Sequence, residues 1–229
     1  MESDFEASGM LGGMRIRAVL FDVDGVLLDS AAAHRQVWGT WSRLHGLDED
    51  QVWELTFGRR PQDTVRDAAP HLDPLQEQAV LDSLLHELGL SCPPIVGADG
   101  LLRRIPADGW ALVTSGDRSS VHRRFASAGL PLPTVQVYAD DVAAGKPAAD
   151  CYLLASRLIS ADPRECMVVE DSPAGVAAGS AAGCTVIGVT TTHKAAQLAH
   201  ADVCVANLHV AAEELARLGF VLLGSDGRN

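Results

Sequence analysis

The chain has 229 residues, of which 47% are hydrophobic, enough to bury a core in one large domain or in a core with a smaller insert. Its formal net charge of -12, from 30 acidic and 18 basic residues, argues against nucleic acid or an anionic membrane surface as a partner. No apolar stretch reaches the roughly 18 residues of a membrane-spanning helix.

The five cysteines include no CxxC pair and are odd in number, which favours neither a disulfide framework nor a zinc site. Unpaired cysteines fit a reducing compartment, and the acidic N-terminal stretch is unlike a signal peptide. We therefore expect a cytoplasmic protein, with residues 1–14 forming a flexible tail.

The first predicted element is a short strand, because Ile16 and residues 18–21 form an apolar run rich in β-formers. Two aspartates follow, Asp22 at the end of the strand and Asp24 in a turn that Gly25 permits. Residues two apart in an extended segment project to the same side, so both carboxylates can address one substrate atom. One would attack while the other manages a proton. The same pattern also occurs in turns and calcium loops, so this segment alone leaves both interpretations open.

Between Ser30 and Pro93 the pattern changes to helices, with no evident strand. One helical face carries Val37, Trp41 and Leu44. A second helical face carries Leu81, Leu84, Leu85 and Leu88. This segment is predicted to be an insertion after the first strand, spanning residues 31–96, and it could act as a lid.

From Trp110 onward, apolar segments alternate with amphipathic ones. The predicted strands there are residues 111–114, 135–138, 167–169, 186–189 and 203–205. The stretches between them have helical spacing, which indicates βα units and a mostly parallel sheet. We predict an α/β fold, in which residues 15–30 and 97–229 form a Rossmann-like core and residues 31–96 form an α-helical cap.

Three later strand ends carry polar groups that would meet the first aspartate pair at one edge of the sheet. Thr114 and Ser115 follow a strand, where a hydroxyl and free amides can bind anionic oxygens or simply cap the next helix. Lys146 offers a point charge, although most lysines are solvated surface groups. Glu170 and Asp171 end another strand, and two adjacent carboxylates there are costly unless a cation compensates them.

Together these segments resemble the haloacid dehalogenase-like hydrolase superfamily over nearly the whole chain. The motif set is Asp22-x-Asp24-Gly25-x-x-x-Asp29-Ser30, Thr114, Lys146-Pro147 and Glu170-Asp171-Ser172-Pro173-Ala174-Gly175. Helices inserted between the first and second motifs resemble subfamily I, which has a helical cap. More narrowly, the TSG, GKP and EDSPAGVAAG segments are similar to the branch of sugar phosphatases, polyol phosphatases such as glycerol-phosphate phosphatase, and β-phosphoglucomutase.

The resemblance implies a role for each carboxylate. Asp22 would be the nucleophile that forms an aspartyl-phosphate, and Asp24 would be the general acid and then the base for water. Because dehalogenases of this superfamily lack the second aspartate, the presence of Asp24 argues against dehalogenation. Magnesium would be held by the Asp22 carboxylate, the Asp24 backbone carbonyl and Asp171, with Glu170 close by or bound through water.

The resemblance also implies a site for the transferring phosphoryl group. Thr114 would bind this group together with the amides of Ser115 and Gly116, while Lys146 would neutralise charge on it and on Asp22. Electrostatic stabilisation dominates phosphoryl transfer, so these residues would be essential.

The cap supplies the remaining candidates for substrate binding. His34 and Trp38 match the DSxxxHxxxW pattern of this branch, in which the histidine lies near the boundary of cap and core. Alternatively, His34 only caps or packs the first cap helix. The Phe57-Gly58-Arg59-Arg60 segment corresponds to the substrate-facing loop of the cap, where polyol-phosphatase relatives often carry histidine in place of phenylalanine. Arg59 or Arg60 would bind a hydroxyl or a second anion, unless both are surface groups.

The sequence thus predicts a magnesium-dependent phosphatase, a phosphoric monoester hydrolase, that acts on a small phosphorylated sugar or polyol. A mutase similar to β-phosphoglucomutase would use the same residues to move a phosphoryl group between two sugar hydroxyls. A non-catalytic phosphosugar-binding protein is a third interpretation, disfavoured because every catalytic position is filled. The expected partner is a small phosphate ester, with no nucleic acid or membrane partner, and the expected state is a monomer or weak homodimer.

Overall fold

A computed structural model describes residues 16–224, so the tail predicted at residues 1–14 lies outside the described residues. The strands are β1 (Ala18–Phe21), β2 (Trp110–Val113), β3 (Val135–Val137), β4 (Cys166–Glu170), β5 (Thr185–Val189) and β6 (Val203–Val205). The helices of the cap region are α1 (Ala31–Leu44), α2 (Glu49–Glu54), α3 (Pro61–Ala68) and α4 (Pro74–Glu87). The later helices are α5 (Ala98–Leu102), α6 (Arg118–Ala128), α7 (Asp150–Leu158), α8 (Pro173–Ala181) and α9 (Leu208–Arg217).

The six strands form one parallel sheet in the order β3-β2-β1-β4-β5-β6, which confirms the predicted α/β fold. Strand β1 lies between β2 and β4, in the middle of the sheet. Adjacent parallel strands must be joined by crossover connections, and in this protein the connections contain helices. Within residues 16–224, no helix is both long and apolar enough to cross a membrane.

Both faces of the sheet are covered, which explains why its strands are continuous apolar runs. Alternate residues of β1 enter different cores: Val19 and Phe21 pack on one face, and Ala18 and Leu20 on the other. The first core also contains residues of α5, α6 and α9, whereas the second contains residues of α7 and α8. The core is therefore a sheet between two layers of helices.

Helices α1–α4 enclose an apolar cluster of their own. Its buried members are Val37, Trp38, Trp41, Val52, Val65, Ala69 and Leu81. Leu44 is the last residue of α1 and stays 63% exposed, although it shares a face with Val37 and Trp41. We call residues 31–96 the cap, following the predicted boundary.

The two linkers between core and cap lie side by side. Leu28 pairs with Pro94 in an antiparallel bridge, and the Asp29 amide donates to the Pro93 carbonyl at 2.8 Å. The Ile95 amide donates to the Leu27 carbonyl at 2.9 Å. Because the first linker follows β1 closely, this pairing holds the cap at the carboxyl edge of the sheet.

Candidate active site

Three neighbouring strands end at the same edge of the sheet and bring the predicted polar residues together. Asp22 follows β1, Thr114 follows β2, and Asp171 follows β4. These three residues line one cavity of about 140 Å³, and residues of the cap line its other side. In parallel sheets the crevice at this edge, where the chain turns to opposite sides of β1, is the usual ligand site.

Lys146 joins two carboxylates beneath this cavity. Its Nζ lies 2.5 Å from Asp22 Oδ1 and 2.6 Å from Glu170 Oε1, and its side chain is only 1% exposed. Burial by itself would lower the pKa of Lys146, but the carboxylates of Asp22 and Glu170 hold this pKa well above its usual value. The lysine is therefore a buried cation, and the surface-group interpretation does not describe it.

The buried carboxylates outnumber this cation. Burial raises the pKa of Asp22 to about 7; Lys146 opposes the rise, and Glu170 and Asp24 add to it. Burial, followed by the charges of Glu170 and Asp22, also raises the pKa of Asp171 well above its usual value. The site thus carries excess negative charge that a bound cation would offset.

The same carboxylates fit a divalent metal ion. Asp22, Glu170 and Asp171 offer carboxylate oxygens that lie within 4.8 Å of one another. Oxygen donors of this kind suit hard cations, and the excess charge favours a divalent ion over a monovalent one.

Glu170 differs from the other two because protein donors occupy both of its oxygens. Its Oε1 accepts from Lys146 and from the Tyr152 hydroxyl at 3.0 Å. Its Oε2 accepts from the amides of Asp171 and Ser172 and from the Ser172 hydroxyl, at 3.0 to 3.1 Å. This leaves Asp22 and Asp171 as the carboxylates with more freedom to bind an ion, while Glu170 orients Lys146.

Asp24 is bound by an arginine that the sequence analysis missed. Arg124, on α6, donates from both Nη atoms to the two carboxylate oxygens of Asp24. His34 Nε2 lies 3.8 Å from Asp24 Oδ1. Burial opposes ionisation of Asp24, but Arg124 and then His34 hold its pKa well below the usual range. The signal that could have identified Arg124 is its place beside Phe125, on the buried side of α6.

The turn after β2 has a more specific structure than a simple helix cap. Thr114 is buried, and its hydroxyl accepts from the Gly116 amide at 3.1 Å. The N-cap of α6 is Asp117, which accepts from the Ser120 amide at 2.8 Å. The Ser115 hydroxyl instead donates to the Gly58 carbonyl of the cap at 2.8 Å. The turn therefore borders the cavity and also contacts the cap.

The two cap arginines occupy different environments. Arg59 lines the cavity and pairs with Asp67, with 2.6 Å between Nη2 and Oδ2. Arg60 donates to the carbonyls of Val142 and Ala143 in the core, at 3.3 and 3.2 Å, and is held by Asp63. The structure thus directs Arg60 toward the loop that precedes Lys146 and leaves Arg59 at the cavity.

Phe57 makes a further contact between cap and core. Its ring packs edge-on against His193, with 4.6 Å between ring centroids. Position 57 therefore makes an apolar contact between cap and core in this chain.

The loop after β5 was also missed. Thr192 donates to the Asp171 carboxylate, and the Thr191 hydroxyl donates to the Gly25 carbonyl at 2.5 Å. Gly25 has a φ of +82°, and a Cβ at that position would lie 2.1 Å from Asp171 Oδ2, so glycine is required there. Like Thr114, these threonines follow an apolar strand, and polar residues at such positions lie at the carboxyl edge of the sheet. Their place after β5 could therefore have identified them from the sequence.

Comparisons with known proteins agree with this geometry. The haloacid dehalogenase-like hydrolase family matches residues 16–183. Hexitol phosphatase A of Escherichia coli is 38% identical over 202 residues, covering 85% of this chain and 93% of that protein. A β-phosphoglucomutase of Mycobacterium tuberculosis is 29% identical, covering 85% of this chain and 90% of that protein. A HAD family hydrolase from Deinococcus radiodurans, solved with bound phosphate and sodium, is 28% identical with a TM-score of 0.70, covering 93% of this chain and 100% of that one.

Proposed function

The chain belongs to the haloacid dehalogenase-like hydrolase family, and we propose that it is a magnesium-dependent phosphatase of small phosphorylated sugars or polyols. It is a phosphoric monoester hydrolase. The observation that carries the proposal is the buried contact of Lys146 with Asp22 at the edge of the cavity. A carboxylate that lines a small cavity and is held by a buried lysine is placed to attack an anionic group that enters the cavity.

In the proposed reaction, a carboxylate oxygen of Asp22 attacks the phosphorus of the ester. The bond between phosphorus and the alcohol oxygen breaks, and Asp24 delivers a proton to the leaving alkoxide. Water then attacks the aspartyl-phosphate, Asp24 accepts its proton, and the Asp22 carboxylate and inorganic phosphate are released. Because Arg124 holds Asp24 as a carboxylate in the structure, we infer that this pair opens when an ester enters and that Asp24 takes up a proton from water before it acts as the acid.

The remaining core residues would bind the transferring group. Thr114 and the amides of Ser115 and Gly116 would hold its oxygens, and Lys146 would offset charge that develops on them. Glu170 would keep Lys146 in place and in its charged form. These are the roles that the family resemblance implies, and the position of Thr114, Ser115 and Gly116 at the cavity supports them.

We propose that Mg²⁺ is the cation and that the carboxylates of Asp22 and Asp171 hold it, together with the Asp24 backbone carbonyl. Bound there, the ion would supply positive charge that offsets the phosphoryl oxygens and the surplus of buried carboxylates. Glu170 would stay outside its direct ligands, since protein donors occupy both oxygens.

We also propose that the cap covers the substrate and that the protein works in the cytoplasm, where its five free cysteines would remain reduced. A monomer or weak homodimer remains our prediction for the assembly. His34, Arg59 and other cap residues at the cavity would meet the leaving alcohol, which differs between esters, whereas the core grips only the phosphoryl group.

The test is a panel of sugar and polyol phosphates, with p-nitrophenyl phosphate included, assayed for phosphate release in Mg²⁺ and in excess chelator. We expect release that requires Mg²⁺ and is lost by a factor of at least about 10³ in Asp22→Asn, because an amide is a poor nucleophile. Circular dichroism would check that the variant is folded. Isomerised sugar phosphate without phosphate release, seen by phosphorus NMR, would identify a mutase instead. No turnover of any ester would contradict both enzymes.

A further inference from the structure

The cap side of the cavity carries a polar pair on an otherwise apolar wall. Trp38, Trp53 and Leu81 contribute apolar surface, while Gln78 and Asp82 of α4 line the same cavity. The Gln78 side-chain amide donates to Asp82 Oδ1 at 3.2 Å. Both side chains are half-buried. Among residues 16–224, the second oxygen of Asp82 and the amide oxygen of Gln78 make no hydrogen bond, so both can accept one from a ligand.

Asp82 has an acidic neighbour inside the cavity and a basic neighbour outside its lining. Asp117, at the start of α6, lines the cavity from the core side. Burial raises the pKa of Asp82; Asp117 adds to the rise, and the exposed Arg123 opposes it. Asp82 and Asp117 are thus two carboxylates on the wall of one cavity. A group that enters between them is favoured if it donates hydrogen bonds and disfavoured if it is an anion.

The cations that line the cavity already have partners. Arg59 pairs with Asp67, and Arg124 pairs with Asp24. Among the described residues, Arg59 is thus not free to meet a second phosphate on the substrate. Arg124, which the proposed reaction releases from Asp24, lies beside Gly116 in the turn that would bind the transferring phosphoryl group. The distal phosphate of a bisphosphate would have to break the pair of Arg59 with Asp67 or lie near the carboxylates of Asp82 and Asp117.

We propose that Gln78 and Asp82 bind hydroxyl groups of the leaving alcohol and that Asp82, with Asp117, excludes substrates carrying a second phosphate. The inference rests on the proposed function and narrows its substrate class to monophosphates of polyhydroxylated alcohols. It also disfavours the mutase, because moving a phosphoryl group between two hydroxyls of one sugar passes through a bisphosphate.

Two matched pairs of compounds test the two halves of the proposal. Sorbitol 6-phosphate and hexyl phosphate have chains of the same length and differ in hydroxyls. Glucose 6-phosphate and glucose 1,6-bisphosphate differ in the second phosphate. For the wild type we expect kcat/KM to favour sorbitol 6-phosphate and glucose 6-phosphate, each by about tenfold or more.

Variants on α4 should separate the two effects. Asp82→Asn keeps the hydrogen-bonding shape without the charge, so it should reduce the discrimination against the bisphosphate by about tenfold and retain the preference for sorbitol 6-phosphate. Gln78→Leu should reduce the preference for sorbitol 6-phosphate and retain the discrimination against the bisphosphate. Ser83→Ala, on the exposed side of the same helix, is the matched control and should change neither ratio.

The outcomes distinguish this inference from the proposed function. Release of phosphate from any ester with no preference in either pair, or with a preference for the bisphosphate, would overturn the inference and leave the phosphatase standing. If the kcat/KM ratios of both compound pairs stay at their wild-type values in Asp82→Asn and in Gln78→Leu, the inference is likewise overturned and the phosphatase stands. If no ester is hydrolysed at all, the proposed function fails and the inference fails with it.

Discussion

Arg124 binds both carboxylate oxygens of Asp24, a residue 100 positions earlier in the chain. This ion pair connects the turn after β1 to α6, the helix that begins beside the proposed phosphoryl-binding turn. It also keeps Asp24 charged, since Arg124 holds the pKa of that carboxyl well below its usual range against the effect of burial.

Arg124→Ala should lower the free energy of unfolding by about 2 kcal/mol at neutral pH, because it leaves a largely buried carboxylate without its partner. The folded-state pKa of Asp24 is depressed, so the stabilisation is fully present above the unfolded pKa of about 4 and is lost as pH falls below it. Urea unfolding in chelator at pH 7 and near pH 3 would measure this, and the gap between variant and wild type should narrow in acid. Arg123→Ala, on an exposed neighbour, is the control, and an equal loss there would contradict the assignment.

Asp24→Asn should slow turnover while leaving the aspartyl-phosphate detectable. With p-nitrophenyl phosphate the leaving group needs little help from an acid, so Asp22 can still be phosphorylated, whereas water loses its base. Rapid quench with labelled substrate should trap phosphate on the protein. Failure to trap any label in a folded variant that still turns over would count against the acid and base assignment of Asp24.

Mg²⁺ should raise the melting temperature of the protein by several degrees, and by more at pH 7.5 than at pH 5.5. The folded-state pKa of Asp22 is raised to about 7, and that of Asp171 is raised as well. Without metal, these two carboxyls therefore lower the stability of the fold increasingly as pH rises above their unfolded pKa of about 4, and they do not lower it below that pH. A bound cation offsets the charge of the ionised carboxylates and so restores the stability that they remove. Thermal melts in Mg²⁺ and in chelator measure the difference at each pH.

Asp171→Asn is the matched variant for the metal. It should melt higher than the wild type in chelator, because one buried carboxylate is gone, and Mg²⁺ should no longer stabilise it. Ca²⁺ should stabilise the wild type yet inhibit turnover, since the larger ion accepts more oxygen ligands and can engage both oxygens of Asp22. Full activity in excess chelator would remove the metal from the mechanism.

Lys146→Ala should damage both chemistry and stability. We expect kcat to fall by at least about 100-fold, because charge on the phosphoryl group is left uncompensated. We also expect unfolding to be easier by about 3 kcal/mol, since Asp22 and Glu170 lose a buried cation. Kinetics and urea unfolding measure the two effects. Lys194→Ala, on an exposed lysine, is the control, and wild-type kinetics in the Lys146 variant would overturn its role.

The two cap arginines should respond differently to truncation. Arg60→Ala removes contacts with the Val142 and Ala143 carbonyls, so it should slow all esters by a similar factor through weaker docking of the cap. Arg59→Ala changes the wall of the cavity and should alter the ranking among sugar and polyol phosphates. Values of kcat/KM across the ester panel separate the two patterns. A changed ranking in the Arg60 variant alone would support the direct contact with substrate that the sequence allows.

The sequence predicted every strand of the sheet to within two residues, and for a physical reason. Strands buried on both faces are short apolar runs, and such runs are visible without any knowledge of tertiary contacts. Asp22, Thr114 and Asp171 could be assigned to one site because each directly follows a strand, and the carboxyl ends of parallel strands share an edge. The insertion of a helical segment after the first strand was visible from the change in hydrophobic period.

Other features depend on which side chains meet across long stretches of chain, and only the tertiary structure decided them. Arg123 and Arg124 are adjacent, and helical spacing indicates only that Arg124 lies nearer the buried side of α6. The packing of α6 on the sheet decides that Arg124 meets Asp24 and that Arg123 faces solvent. Arg60 adjoins Arg59, but the docking of the cap directs it to a core loop. Composition and period fix where strands and helices form, because those depend on neighbours along the chain. The partner of a charged side chain depends on how whole helices and strands pack against one another. Burying an unpaired charge costs much free energy, so the packing decides which ion pairs form.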